Sequence, residues 1–229
     1  MLRNAAMSQP IRLIVFDWDG TLMDSETKIV ASLRRSGIDL GLPTLEDRAL
    51  RNVIGLGLKE AIETLYPGAD LAIHSAFAER YRHHFLTAGS EVSTFFAGAL
   101  EMVRMLHQQG FLIGIATGKG RRGLNRALAE YECDHLFHAT RCADETFSKP
   151  HPQMLLEIME ELEVSPTETM MVGDTEYDLL MARNAGVVAV GVSYGMHERE
   201  RLLHCQPAVC VDTIPELTTW LCRYNTDRP

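Results

Sequence analysis

Asp17 and Asp19 stand one residue apart at the end of an apolar run, in "LIVFDWDGTLMDS", Leu13 to Ser25. Crowding two carboxylates at the tip of a buried strand is costly, because like charges repel and each ion loses water. Strand alternation would put both side chains on one side, and Gly20 permits the turn that follows. Three later apolar runs end in comparable groups: Thr117-Gly118-Lys119, then Ser148-Lys149-Pro150, then Gly173-Asp174 with Asp178 one helical turn further on. Carboxylates gathered at one place, with no cysteine or histidine among them, call for a hard cation, and Mg²⁺ suits such a set. A cation, a lysine and a hydroxyl facing an aspartate are what a phosphoryl group needs. Metal and lysine neutralise its oxygens while the aspartate attacks phosphorus. Asp19 can then protonate the leaving oxygen and afterwards serve as base for water.

For these groups to meet, the runs that carry them must lie side by side. "RLIVF" (12–16), "FLIGIA" (111–116), "LFHAT" (136–140), "TMMVG" (169–173), "VVAVGV" (187–192) and "AVCV" (208–211) are mostly continuous apolar stretches. That pattern marks parallel strands covered on both faces. Helical patterns lie between several of them, including "GALEMVRMLHQQG", "PQMLLEIMEELEV" and "DLLMARNAG", with Gly110 and Gly186 as C-terminal stops. Ser165-Pro166-Thr167-Glu168 reads as a capping box with proline at the first helical position. Strand alternating with helix predicts an α/β, doubly wound parallel sheet, in which ligands sit beyond the carboxyl ends of the strands.

One region departs from the alternation. From about Asp24 to Glu91 the spacing is helical throughout, without a convincing strand. This insert follows the first strand and begins beside the aspartate pair, as a lid over the strand ends would. The expected division is 11–23 plus 93–222 as the α/β core and 24–92 as the helical insert, with 1–10 and 223–229 as frayed termini.

Composition narrows the partners. The net charge is −9, with no block of like charge, which disfavours nucleic acid and anionic membranes. The five cysteines are scattered and form no CxxC or Cys/His cluster, so zinc is not indicated and a reducing cytoplasm fits. No run approaches a membrane span, and "MLRNAAMSQP" has no apolar stretch long enough for a signal peptide. The oligomeric state is not legible.

Taken together, the four strand-end groups resemble the motifs of the haloacid dehalogenase-like superfamily of phosphotransferases. "DWDGTL" matches its first motif, DxDGT. Thr117 matches the second, Lys149 in "SKP" the third, and "GDTEYD" the fourth, all in order over residues 11 to 220. The insert is similar to the family's C1-type cap. "DGTLMDS", "GLGLKEAI" and "VGVSYGMHE" look most like phosphoglycolate phosphatase-like members. The resemblance implies Asp17 as nucleophile, forming an aspartyl-phosphate, and Asp19 as general acid/base. Thr117 and the Gly118 amide would hold phosphoryl oxygens, and Lys149 would steady the nucleophile. Asp17, the Asp19 carbonyl and Asp174 would bind Mg²⁺, with Asp178 close by, directly or through water. It also implies that the loop "GLGL" (55–58) faces the site, with Arg51 or Lys59 reading an anionic group on a small phosphorylated substrate.

Rival readings remain at this stage. A phosphomutase resembling β-phosphoglucomutase would use the same four motifs and return the phosphoryl group to a sugar. A receiver-like switch would hold phosphate without turnover, although Asp19 and the long insert argue against it. Gly118 to Gly123, "GKGRRG", fits a dinucleotide fingerprint with Asp144 as its distal acid, but the aspartate pair upstream makes a phosphate-cradling turn the better reading. Arg34-Arg35 and Arg121-Arg122 read as solvated charges, and Met170 and Met171 as core.

Overall fold

The computed structural model describes residues 10–87 and 93–225. The expected fraying of the extreme termini concerns residues that fall mostly outside that range. The chain opens with β1 (Leu13–Phe16) and a two-residue strand, β2 (Met23–Asp24). Four helices follow: α1 (Glu26–Asp39), α2 (Asp47–Asn52), α3 (Leu58–Leu65) and α4 (Leu71–Thr87). β3 (Thr94–Phe95) then pairs antiparallel with β2, so the chain leaves for the helices and returns from them through one short ribbon. The remainder alternates: α5 (Ala99–Gln108), β4 (Leu112–Thr117), α6 (Arg121–Glu130), β5 (Ala139–Cys142), α7 (Gln153–Glu161), β6 (Thr169–Gly173), α8 (Glu176–Ala185), β7 (Val188–Val192), α9 (Arg199–His204), β8 (Val209–Val211) and α10 (Ile214–Tyr224).

The six longer strands form one parallel sheet in the order β5-β4-β1-β6-β7-β8, as the apolar runs predict. β1 is central, flanked by β4 and β6. The chain runs outward from β1 through β4 to β5, then returns to the other side of β1 as β6. That reversal opens a crevice beyond the carboxyl ends of the three central strands. All four residues of β1 and all five of β6 are buried. Alternation along β1 sends Ile14 and Phe16 into one apolar layer with Met102, Leu106 and Leu217. Leu13 and Val15 go into the opposite layer with Met154, Ile158 and Met181. Met170 and Met171 divide between the same two layers. Helices on both faces therefore remove the central strands β1 and β6 from water, which is why these strands are not amphipathic.

The helical insert has a core of its own, built on Ile29, Leu33, Leu50, Ile62 and Phe77. Phe77 is completely buried and its ring lies 5.7 Å from that of Tyr66.

Three details differ from the sequence reading. "LFHAT" is not a strand from its start: Asp134–Leu136 form a 3₁₀ turn and β5 begins at Ala139. Leu136 is buried in the core and Phe137 sets its ring against Trp18, so this apolar pair plugs the end of one layer instead of extending the sheet. α9 buries one residue, Leu202, and so leaves no periodic signature. β2 and β3 are too short for any pattern. The Ser165 capping box is present, with Glu168 Oε2 accepting from the Ser165 amide at 3.2 Å and hydroxyl at 2.6 Å.

Among the described residues, no helix is long and apolar enough to cross a membrane. All five cysteines are free.

The two ends of the burial scale in the insert give a direct test. Phe77→Ala is expected to cost about 3–5 kcal/mol of unfolding free energy, because it empties a packed volume. Leu71→Ala, at a residue 81 % exposed, is expected to stay within about 0.5 kcal/mol. Urea unfolding measures both, and equal effects would contradict this placement of the insert's core.

Candidate active site

The site grows from the end of β1. The Asp17 amide donates to the Val172 carbonyl at 2.9 Å, carrying the pairing with β6 one residue past the strand. That locks the backbone from which the carboxylate projects. Asp17 Oδ1 accepts from the Trp18 amide at 2.6 Å and faces Lys149 Nζ at 2.8 Å. Lys149 Nζ also lies 2.6 Å from Asp178 Oδ1. All three side chains are removed from water. Asp17 Oδ2 is buried and has no hydrogen-bond partner.

Asp174 comes from the end of β6. Its Oδ1 accepts from the Thr21 hydroxyl at 2.7 Å and its Oδ2 from the Met196 amide at 2.8 Å. Two glycines make room for it. A Cβ on Gly20 would fall 2.2 Å from Asp174 Oδ2, and one on Gly195 would fall 2.3 Å from it. Gly20 also has φ +89°, the left-handed region that glycine alone enters freely.

Asp178 does two things at once. At the first turn of α8 its Oδ2 accepts from the Thr175 amide at 3.0 Å and hydroxyl at 2.7 Å, while its Oδ1 faces Lys149. It is both a helix-capping acid and part of the charged cluster. Asp17, Asp174 and Asp178 each bring one carboxylate oxygen within 4.8 Å of the others.

The electrostatics of this cluster are those of acids short of positive charge. Burial pushes the Asp17 carboxyl well above its ordinary range; Lys149 opposes this, and Asp178 and Asp174 add to it. Asp174 is pushed up to about 7 by burial and by Asp178, against the Met196 amide, the Thr21 hydroxyl and Lys149. Burial favours a neutral Lys149, but Asp17 and Asp178 outweigh it and hold the ammonium charged. One lysine faces three buried acids. An all-oxygen set with an unpartnered buried oxygen fits a hard divalent cation.

Asp19 stands apart from that cluster. Lys119 Nζ meets its two oxygens at 3.0 and 2.7 Å, and the Ser25 hydroxyl donates to Oδ1 at 2.7 Å. Any metal contact from Asp19 would therefore come from its carbonyl, as the family resemblance implies. The sequence reading assigns no role to Lys119, although it lies in the same strand-end turn as Thr117. Lys119 Nζ also sits 4.6 Å from the centre of the Phe85 ring, which belongs to α4 of the insert. Thr117 is buried, and its hydroxyl oxygen accepts from the Lys119 amide at 3.1 Å.

The loop 55–58 of the insert lies against this machinery. A Cβ on Gly118 would fall 2.4 Å from the Leu56 carbonyl and 2.6 Å from that of Gly55, so only glycine allows the approach. The Gly57 amide donates to the Ser148 hydroxyl at 2.7 Å, next to Lys149. Between insert and core lies a cavity of about 1460 Å³ whose wall includes Asp17, Asp19, Thr117, Gly118 and Lys59. Arg51 does not join that wall. It lies half-exposed on the side of α2 that meets α1, paired with Glu26 Oε1. Of the two alternatives for reading an anionic group, Arg51 or Lys59, the cavity wall includes Lys59.

Arg121 is not a solvated charge either. It grips both Glu145 oxygens at 2.7 Å and donates to the Thr140 hydroxyl and carbonyl. Asp144 Oδ1 accepts the Arg121 amide at 2.9 Å, so the supposed dinucleotide acid tethers the start of α6.

His197 supports the site from behind. It is buried, its Nδ1 accepts from the Glu176 amide at 3.0 Å, and its own amide donates to the Asp174 carbonyl. Burial, with Arg201 nearby, holds its pKa below the usual histidine value, against Glu176 and Asp178. A neutral imidazole is thus preferred in the folded state. Its stabilisation is present above the unfolded pKa of about 6.5 and is lost as pH falls through the lower folded value. His197→Asn keeps an acceptor but cannot titrate. The stability advantage of wild type over this variant, read as a difference in Tm, should shrink from pH 7.5 to pH 5. A constant difference would exclude the neutral-imidazole arrangement.

Comparison with known proteins agrees with this geometry. The family model described as haloacid dehalogenase-like hydrolase matches residues 14–192. The chain is 34 % identical to the probable phosphatase IndB of Dickeya dadantii, over 90 % of this chain and 91 % of that protein. It is 28 % identical to the phosphoglycolate phosphatase of Vibrio vulnificus, over 91 % and 95 %. A crystal structure of a putative haloacid dehalogenase-like hydrolase from Bacteroides fragilis superposes with a TM-score of 0.84 at 26 % identity, over 90 % and 99 %. With its fold and strand-end acids, the chain belongs to the haloacid dehalogenase-like hydrolases. Within them it is a phosphoric monoester hydrolase, phosphoglycolate phosphatase-like in sequence.

Proposed function

We propose that this protein is a Mg²⁺-dependent phosphatase that hydrolyses a small phosphorylated metabolite through a phosphoryl group carried on Asp17. The observation that carries the reading is the state of the Asp17 carboxylate. One oxygen is held by the Trp18 amide and faces Lys149, and the other is buried without a hydrogen-bond partner.

Mg²⁺, held by Asp17, Asp174, Asp178 and the Asp19 carbonyl, would supply charge neutralisation for the phosphoryl oxygens. The chain's own groups do the rest. Thr117 and the Gly118 amide bind phosphoryl oxygens at the end of β4. Asp17 forms a bond to phosphorus as the bond to the alcohol oxygen breaks, and Asp19 delivers a proton to that oxygen. Water then attacks phosphorus, Asp19 takes its proton, and the Asp17–phosphorus bond breaks to release inorganic phosphate. Lys149 keeps the Asp17 carboxylate oriented through both steps. Residues 24–92 act as a C1-type cap that closes over the crevice to keep bulk water out. Lys59 on the cavity wall would meet the part of the substrate away from phosphorus. The free cysteines suit a cytoplasmic setting.

Phosphate release with and without Mg²⁺ tests this. Chelation should abolish turnover and added Mg²⁺ restore it. Asp17→Asn should lower it to background, and Asp19→Asn should reduce it about 10²–10⁴-fold, the usual contribution of a positioned acid/base. Retained turnover in Asp17→Asn would remove Asp17 from the nucleophile role.

A further inference from the structure

The cavity of about 1460 Å³ is larger than the ~300–1,000 Å³ range of pockets that enclose drug-sized ligands. A two-carbon phosphorylated acid would leave most of it filled with water. Much of the wall that the helical insert contributes is apolar, with Ile54, Leu58, Tyr81 and Phe85 among its residues.

The rim is more specific. Among the described residues, five large hydrophobic side chains are exposed, and two of them, Leu71 and Phe147, line this cavity. A single exposed apolar side chain needs no explanation. These two come from opposite sides: Leu71 begins α4 of the insert, whereas Phe147 lies in the core, two residues before Lys149. The Phe147 ring is 64 % exposed and lies nearly parallel to the His151 ring, 4.5 Å away at 28°. One face is thereby supported and the ring held in orientation, while much of the remainder stays open. A supported aromatic ring with open surface on the wall of this cavity is a platform for another flat ring.

We propose that the alcohol portion of the substrate is of nucleoside size and carries a flat aromatic or heteroaromatic ring that stacks on Phe147. This rests on the phosphatase reading above. It adds that the leaving group, and not a short acid, fills the cavity between cap and core.

The test compares kcat/KM, with Mg²⁺, for acetyl phosphate, phosphoglycolate, uridine 5′-monophosphate, pyridoxal 5′-phosphate and riboflavin 5′-phosphate. At least one ring-bearing ester should exceed phosphoglycolate tenfold or more. Phe147→Ala should lower the ratio of that ester to acetyl phosphate about tenfold, in line with the usual effect of losing a stacking partner, and Phe147→Tyr should keep it. Phosphoglycolate matching every ring-bearing ester, or a ratio unmoved by Phe147→Ala, would overturn the proposal. Acetyl phosphate turnover that is sensitive to Asp17→Asn, alongside either of those results, would leave the phosphatase reading standing. Failure of wild type to exceed Asp17→Asn on all five compounds would overturn both.

Discussion

Lys149 stands between Asp17 and Asp178, and the rest of the site depends on that bridge. Two carboxylates, one from the end of β1 and one from the first turn of α8, could not otherwise share a dry crevice, because neither water nor distance screens them. The bridge also leaves a deficit. Asp174 lies against the same cluster, and one ammonium does not balance three acids. A bound cation would offset that deficit. The fold supports this by delivering the acids on β1 and β6, neighbouring strands whose residues are buried on both faces, so the crevice does not relax by admitting water at its base.

Much of this was legible along the chain, for a local reason. Asp17, Lys149 and Asp174 each follow an apolar run or lie in a short signature, and a parallel sheet gathers strand ends without further information. What could not be read depends on partners far away in sequence. Lys119 reaches Asp19 across a separation of 100 residues, and Arg121 finds Glu145 and Thr140 only once α6 has docked beside β5. Arg51 and Lys59 illustrate a choice that the sequence leaves open. α2 has six residues, too few for periodicity to say which side meets α1 and which meets the crevice. The ribbon of β2 and β3 was invisible because two residues carry no alternation, and α9 because a helix with one buried residue carries no stripe.

Several residues serve more than one master. Asp178 caps α8 with one oxygen and faces Lys149 with the other. Gly118 follows Thr117 at the end of β4 and also leaves room for the carbonyls of residues 55 and 56, which rest on it. Such double duty explains how a chain of this size accommodates a buried charged cluster. The groups that would be costly to bury also complete helix ends and loop contacts.

Two of the polar ties between insert and core share a pattern. The Gly57 amide is held by Ser148, the residue before Lys149, and the Asn52 carbonyl by the hydroxyl of Tyr177, the residue before Asp178. The insert therefore grips the Lys149 loop and the first turn of α8, which carry two members of the charged bridge. Thermodynamic linkage makes that grip reciprocal: whatever favours the docked insert steadies Lys149 and Asp178 by the same free energy with which their ordering favours docking. A ligand bound in the cavity and the charge placement deep in the crevice would then be two readings of one equilibrium.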